Sequence, residues 1–206
     1  MSTLSDARIP AFMDSRTYQA LQSALLGEEQ SRRMYLHAAQ TLEEAQLHVI
    51  AHALRFTAAQ EKEHAAIFHG LLCHYGGGRI DPAGEDIPLP REPEAILAAV
   101  SQSENDESGK LYPAYARIAG EEGYPRIATA FRRIAETELL HARRFQQYAS
   151  ALADGSLFRS STRTGWLCLP CGHLHYGCEA PHACDTCGRD QGHFIRSSFE
   201  PFTVLP

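Results

Sequence analysis

Four segments of the chain carry apolar residues at helical spacing, and each apolar stripe is interrupted near its middle by acidic residues or histidine. The interrupting residues are Glu28, Glu61, His64, Glu104, Glu107, Glu138 and His141. A helix buries its apolar stripe, so these side chains are expected to meet inside a helical bundle. Buried carboxylates without partners cost several kcal/mol each, whereas a typical domain is stable by only about 5–15 kcal/mol. Cations must therefore lie among the five glutamates.

The residue types and their spacing indicate which cations these are. A set rich in carboxylates and poor in nitrogen favours iron or manganese over copper or structural zinc. Glu61-x-x-His64 and Glu138-x-x-His141 each place two ligands on one helical face, one turn apart. A glutamate on the preceding helix accompanies each motif, so the two halves repeat. This pattern is typical of bundles that hold two metal ions.

A single Glu-x-x-His motif is more often a solvated helix face than a metal site. Here four segments agree in phase and order, which favours the metal interpretation for the whole set. Glutamates that fall off the stripes, such as Glu63 and Glu136, are predicted to be surface charges. The histidines that fall off the stripes, and to which no role is assigned, are His37, His48, His52 and His69.

The breaks between the segments predict how the helices are connected. Only the sequence Thr41–Glu44, which has the form of a capping box, separates the first two segments. Gly120–Pro125 separates the last two, with glycine to end one helix and proline to open the next. The middle connection, Tyr75–Pro93, is long and rich in glycine and proline. We therefore expect two helical hairpins joined by a long crossover, an all-α four-helix bundle of the ferritin-like type.

The composition changes to cysteine, glycine, histidine and proline near the end of the chain. We assign the bundle to residues 1–153, a linker to 154–164 and a small domain of short strands and loops to 165–206. Two Cys-x-x-Cys motifs in this last part can present four thiolates tetrahedrally, from Cys168, Cys171, Cys184 and Cys187. Such a site holds structural zinc or a single iron that carries one electron, and the pattern favours neither. Cys73 and Cys178 are expected to be packing or surface thiols.

Charge and hydropathy exclude some functions. The formal net charge of -6 opposes binding to nucleic acid or to an anionic membrane. No stretch approaches the roughly 18 apolar residues that cross a bilayer, and the first residues lack the pattern of a signal peptide. Paired Cys-x-x-Cys motifs are more typical of metal binding than of a disulfide framework in such a chain. A soluble, cytoplasmic protein is expected.

From about Thr17 to Arg196 the chain resembles the rubrerythrin family, in which a ferritin-like di-iron bundle precedes a rubredoxin-like domain. The stretches that carry the resemblance are Gly27–Arg32 with Tyr35, Glu61–His64, Glu104–Glu107 with Tyr112–Pro113, Glu121–Pro125, Glu138–His141, Trp166–His173, Ala180–Gly188 and His193–Phe194. All seven expected dimetal ligands and all four cysteines have a match. The resemblance implies two iron ions in the bundle and one iron, or zinc, at the cysteines.

The resemblance also implies a role for each ligand. Glu61 and Glu138 would bridge the two metals. Glu28 would bind one iron, and Glu104 together with His141 would bind the other.

Four further residues receive roles by the same resemblance. Glu107 and His64 would be alternative ligands, between which the first iron moves as its oxidation state changes. Tyr35 and Tyr112 would donate hydrogen bonds that orient carboxylate ligands.

The implied activity is the reduction of hydrogen peroxide to water, with electrons passing from the four-cysteine iron to the di-iron centre. An electron-donating redox protein or reductase is the implied partner. The family pairs its subunits, which implies a homodimer or higher homo-oligomer, and the long crossover permits domain swapping. Two alternatives remain open: an oxygen-consuming oxidase or ferroxidase, and a non-catalytic metal-storage or sensing protein with a structural zinc ribbon. The family pattern is broken at Asp185 and His173, which bears on the metal at the cysteines.

Overall fold

The computed structural model describes residues 8–76 and 89–199, and only the backbone of residues 8–10. The helices are α1 (Arg8–Met13), α2 (Arg16–Glu44), α3 (His48–Gly76), α4 (Pro93–Asp106), a π-helical turn (Glu107–Leu111), α5 (Tyr112–Glu121) and α6 (Pro125–Ala153). The strands are β1 (Arg159–Cys168), β2 (Leu174–Glu179) and β3 (Phe194–Arg196). Short 3-10 turns at Gln191–His193 and Ser197–Phe199 flank β3.

The apolar core of the bundle is divided into two clusters, because the acidic residues occupy its middle. One cluster lies at the end of the bundle nearest the C-terminal domain, here called the tail, and this tail-end cluster includes Leu42, Val49, Leu97 and Phe145. The far-end cluster includes Leu21, Leu25, Phe68, Ile127 and Phe131. Buried apolar layers therefore lie on both sides of the polar residues, along the bundle axis.

The direction of the helices shows that a crossover joins the two hairpins. Helix α3 starts in the tail-end cluster at Val49 and ends where Tyr75 packs against Phe12 and Tyr124. Helix α4 starts in the tail-end cluster again, at Ile96. The chain must therefore return about 40 Å between α3 and α4, which an extended segment of this length can span. The predicted ferritin-like bundle is confirmed, and residues 77–88 of the predicted crossover lie outside the described residues.

The turn between α2 and α3 differs from its prediction. Thr41 does not start a new helix, because its hydroxyl donates back to the carbonyl of His37 (3.3 Å) and α2 continues through Glu44. The chain reverses instead at Gln46, whose φ is 59°. The predicted break at Gly120–Pro125 is confirmed, with Pro125 as the first residue of α6.

The third predicted segment is not a regular helix. The N–H of Tyr112 bonds to the carbonyl of Glu107, five residues earlier, so a π-helical turn separates α4 from α5. Pro113 follows directly and has no N–H, so a regular α-helical ladder cannot pass through this point. Single π turns inside helices are frequently found at functional sites.

The tail forms a three-stranded antiparallel sheet with the order β2-β1-β3. Trp166 is fully buried beneath it, and its indole N–H donates to the carbonyl of Gly177 at 3.1 Å. Residues 159–164, which fall within the predicted linker, form the first part of β1, and Arg159 pairs with Glu179. Their composition of serine, threonine and arginine is typical of a loop, and the pairing with β2 makes them a strand. The connection from α6 to the sheet is therefore residues 154–158.

The sheet domain packs against the tail end of the bundle. Leu157 and Ile195 belong to the same buried cluster as Tyr148 of α6. Gly192 lies against the α2–α3 turn so closely that a Cβ there would be 1.9 Å from the carbonyl oxygen of Gln46. The two domains are thus in direct contact. None of the helices within the described ranges is long and apolar enough to cross a membrane.

Candidate metal centre

The helices bring all seven polar residues of the stripes into the middle of the bundle. Glu28 comes from α2, Glu61 and His64 from α3, Glu104 from α4, Glu107 from the π-helical turn, and Glu138 and His141 from α6. Glu28, Glu104, Glu138 and His141 are fully buried, and Glu61, His64 and Glu107 are at most 8% exposed.

Six of these residues form two groups of potential metal ligands. The first group is Glu28, Glu61, His64 and Glu138, and the second is Glu61, Glu104, Glu138 and His141. Within each group, one ligand atom from each residue lies within 4.8 Å of the others. Glu61 and Glu138 belong to both groups. The arrangement therefore provides two adjacent sites that share two carboxylates, as dimetal bundles require.

Each histidine lies close to both shared carboxylates. Nδ1 of His64 is 2.8 Å from Oε1 of Glu138 and 3.1 Å from Oε2 of Glu61. Nδ1 of His141 is 2.7 Å from Oε2 of Glu138 and 3.0 Å from Oε1 of Glu61. The two imidazole rings are nearly parallel, with centroids 5.9 Å apart. Both rings therefore direct Nδ1 toward the shared glutamates.

The donor set fits cations better than it fits internal hydrogen bonds. Within the part of the chain that the structure describes, Nδ1 of His141 and both carboxylate oxygens of Glu138 have no hydrogen-bond partner, although they lie close together. One oxygen each of Glu28, Glu61 and Glu104 is also buried without a partner. Buried polar atoms rarely lack partners, and each one costs about 1–3 kcal/mol. Two metal ions between these atoms would satisfy all of them.

The electrostatics of the protein alone show strong coupling within the centre. Burial raises the pKa of Glu28 well above its ordinary value, and raises that of Glu104 to about 8. Burial has the same effect on Glu61, but the adjacent imidazoles of His141 and His64 outweigh it and lower the pKa of Glu61 to about 2. Burial opposes protonation of the histidines, yet the surrounding glutamates raise the pKa of His64 to about 12 and that of His141 to about 11. Protons and metal ions therefore compete for these side chains.

Two buried tyrosines hold one carboxylate each. The hydroxyl of Tyr35 donates to Oε1 of Glu104, and the hydroxyl of Tyr112 donates to Oε1 of Glu28, both at 2.6 Å. Burial raises the pKa of each tyrosine well above its ordinary value, and the facing glutamate raises it further. The tyrosines thus stay protonated, and among the described residues the second oxygen of each glutamate has no hydrogen-bond partner.

One residue in contact with a ligand was missed by the sequence analysis. Oε1 of Gln60 lies 3.0 Å from Nε2 of His141, on the side of the ring away from the shared carboxylates. This contact favours the tautomer with the proton on Nε2, which leaves Nδ1 free for a metal. Gln60 directly precedes Glu61, so its position beside the stripe was the only available signal.

Glu107 stands apart from the two ligand groups. It is the first residue of the π-helical turn and is 8% exposed. Burial raises its pKa well above the ordinary value, and the charges of Glu104 and Glu138 add to this effect. Glu107 is thus near the centre, while His64 is the member of the predicted pair that lies among the ligands.

The four cysteines of the tail form a second site. Sγ of Cys168 is 3.6 Å from that of Cys187, and Sγ of Cys171 is 3.6 Å from that of Cys184. Four thiolates bound tetrahedrally at about 2.3 Å would be separated by about 3.8 Å, so the site fits one zinc or iron ion. Cys178 is exposed on β2 and lies outside this group.

Fold and sites together define a class: a ferritin-like bundle with a dimetal centre, joined to a four-cysteine metal domain. The family model described as Rubrerythrin matches residues 19–149 and 95–164. The rubrerythrin of Clostridium perfringens is 33% identical over 182 residues, which is 87% of this chain and 93% of that protein. The rubrerythrin of Porphyromonas gingivalis is 35% identical over 185 residues, with 87% and 89% covered. The chain therefore belongs to the rubrerythrin family.

Solved structures agree with this assignment. A fully reduced, all-ferrous structure of nigerythrin is 26% identical, with a TM-score of 0.63 over 89% of this chain and 90% of that one. A bacterioferritin of Desulfovibrio desulfuricans has a TM-score of 0.64 over 68% of this chain and 82% of that one, and at 18% identity it shows the fold alone.

Family membership confirms several predictions. The chain is an oxidoreductase of the rubrerythrin family. Its cofactors are those of the family: a di-iron centre in the bundle and a metal ion at the four cysteines.

Proposed function

We propose that this protein reduces hydrogen peroxide to water at the bundle centre, with electrons supplied through the four-cysteine site. The observation that carries the proposal is the pair of buried ligand groups that share Glu61 and Glu138. When bound as ferrous ions, the two irons supply the two electrons that, with two protons, convert one peroxide molecule into two water molecules. The shared carboxylates keep both electron donors at one place in the protein.

The remaining carboxylates prepare the centre for this chemistry. When metal ions replace their protons, Glu28, Glu104 and Glu107 would add negative charge in a buried environment, where electrostatic effects are stronger than in water. This charge favours the more oxidised state of the metals, and therefore electron transfer to the substrate. Tyr35 and Tyr112 fix two of these carboxylates by hydrogen bonds, so little reorganisation is needed during turnover.

The same proposal includes the exchange of Glu107 and His64 as ligands of one metal. His64 belongs to a ligand group, whereas Glu107 is buried beside the centre without belonging to one. Glu107 also begins the π-helical turn, where the hydrogen-bond ladder of the helix is interrupted. An interrupted ladder supports a change in the position of this side chain.

Electron supply is proposed to cross between subunits of a homodimer or larger homo-oligomer. The tail domain packs beside His48, at the start of α3, whereas Glu61 lies about 20 Å further along that helix. Such a separation within one chain favours delivery from the tail of a partner subunit. A redox protein or reductase would reduce the four-cysteine iron.

Rapid mixing of the reduced protein with peroxide and, separately, with oxygen tests the proposal. At equal oxidant concentrations, we expect the bundle centre to be oxidised faster by peroxide. Faster oxidation by oxygen would contradict the proposal and favour an oxidase or ferroxidase. Zinc at the four cysteines, with no reducible chromophore there, would contradict the electron relay.

A further inference from the structure

A third cluster of potential ligands lies where the two domains meet. It consists of His48, the first residue of α3, with Asp190 and His193 of the tail domain. One ligand atom of each residue lies within 4.8 Å of the other two, and all three residues are half-buried. We propose that these residues form a site for a divalent transition metal such as zinc, bound between the bundle and the tail. The proposal does not depend on the peroxide reaction.

The distances within the cluster place one nitrogen of each histidine next to the carboxylate of Asp190. Nε2 of His48 and Oδ2 of Asp190 face each other at 3.7 Å, which is too long for a hydrogen bond. Nδ1 of His193 is 3.2 Å from Oδ1 of Asp190. The two nitrogens therefore face different oxygens of the same carboxylate, and His193 is within hydrogen-bond distance of its oxygen.

The two histidine rings of the cluster lie face to face where the domains meet. The rings of His48 and His193 stack with centroids 3.9 Å apart and planes 25° apart. Imidazole nitrogens are common ligands of divalent transition metals. Two imidazoles and one carboxylate, with a remaining position open to water, form a ligand set that zinc accepts.

The surrounding backbone holds the three side chains in place. Oδ1 of Asp190 accepts a hydrogen bond from the N–H of Gly192 at 2.9 Å, so this oxygen is fixed and Oδ2 faces His48. The close approach of Gly192 to Gln46 brings the tail ligands to the start of α3. A side chain at position 192 would meet the carbonyl oxygen of Gln46, and glycine permits the contact.

Zinc titration of the full-length protein, with the bundle and four-cysteine sites already filled, tests the proposal. We expect calorimetry and metal analysis to show about one further zinc per chain. His48→Ala and Asp190→Asn should each weaken this binding at least about tenfold. Asp190→Asn keeps Oδ1 as an acceptor for Gly192, so the turn should survive. His52→Ala removes an exposed histidine from the same helix and should change nothing.

Gly192→Ala provides a second variant, which retains all three ligands. We expect it to weaken zinc binding, because the added Cβ pushes the tail away from Gln46. No further zinc uptake, uptake matched by release of the resident metals, or equal binding in His48→Ala and Asp190→Asn would overturn the proposal. Equal binding in Gly192→Ala would overturn its location between the two docked domains.

Discussion

The hydroxyl of Tyr112 donates to Oε1 of Glu28 at 2.6 Å, across the bundle from α5 to α2. The same relation holds between Tyr35 and Glu104, again at 2.6 Å, so each ligand group contains a tyrosine-bound carboxylate that the other group lacks. The repeat in the sequence is thus accompanied by a repeat in the hydrogen bonds.

Removal of one tyrosine hydroxyl should weaken the binding of one metal ion. We expect Tyr112→Phe to lower iron affinity or peroxidase activity about 10- to 100-fold, because Glu28 then loses the donor that orients it. Tyr115→Phe is the matched control, since Tyr115 is half-buried and its ring packs against the ring of Tyr112. Metal analysis after dialysis, together with peroxide turnover, measures the effect. Equal losses in the two variants would show that packing, and not the hydrogen bond, matters.

Replacing a carboxylate that belongs to both ligand groups should remove more metal than replacing one that belongs to a single group. Glu138→Gln removes a ligand of both groups, so iron in the bundle should fall from about two per chain to about none. Glu28→Gln removes a ligand of one group and should leave about one. Glu136→Gln, an exposed change on the same helix, is the control. A Glu138→Gln protein with two irons and normal turnover would refute the shared role of Glu138.

A variant of the tail should separate reaction from re-reduction. In Cys184→Ser the four-cysteine site loses a ligand, whereas the bundle centre is untouched. A chemically reduced sample should therefore react with peroxide once at the normal rate, but turnover with a rubredoxin-type donor should stop. Cys178→Ser changes an exposed cysteine outside the site and should behave as the unmodified protein does. Normal turnover of Cys184→Ser would exclude the relay.

Glu122 should stabilise the bundle in a pH-dependent manner. Its Oε2 accepts hydrogen bonds from the N–H and hydroxyl of Thr17, at 2.9 and 2.6 Å, which joins the α5–α6 turn to the start of α2. Burial would raise the pKa of Glu122, but the bonds from Thr17 and Arg16 outweigh it and lower this pKa. Because the folded pKa lies below the unfolded value, the stabilisation is complete above about pH 5 and disappears as the pH falls through the folded pKa.

Denaturation of Glu122→Gln measures this contribution. We expect a loss of about 1–2 kcal/mol in the free energy of unfolding at pH 7, and a smaller difference from the unmodified protein near pH 3. Glu121→Gln is the control, because the ion pairs of Glu121 with Arg16 and Arg117 are exposed and contribute little. A loss for Glu122→Gln that stays constant between pH 7 and pH 3 would contradict the electrostatic origin.

The sequence predicted the bundle and its polar centre because both depend on helical periodicity. A charged residue on an apolar stripe is visible without knowing its neighbours, and Glu28 and Glu138 were recognised in this way. Details set by contacts between distant segments were not visible. The strand from Arg159 requires its pairing with β2, and the cluster around His48 requires residues from the other domain. His48 received no role because its partners lie far along the chain.

The π-helical turn also escaped the sequence analysis. Pro113, which has no N–H, can be recognised in the sequence, but proline within a helical pattern predicts a kink or an end as readily as a π turn. In the structure the turn ends at Tyr112, which is buried with its hydroxyl on Glu28, a contact between segments far apart in the chain.

Anomalous diffraction from crystals of the protein, measured above and below the iron and zinc absorption edges, tests the central claim most directly. We predict two iron peaks in the bundle, one among Glu28, Glu61, His64 and Glu138 and the other among Glu61, Glu104, Glu138 and His141. A single peak, or zinc at both positions in protein grown with iron, would contradict a di-iron centre built on Glu61 and Glu138.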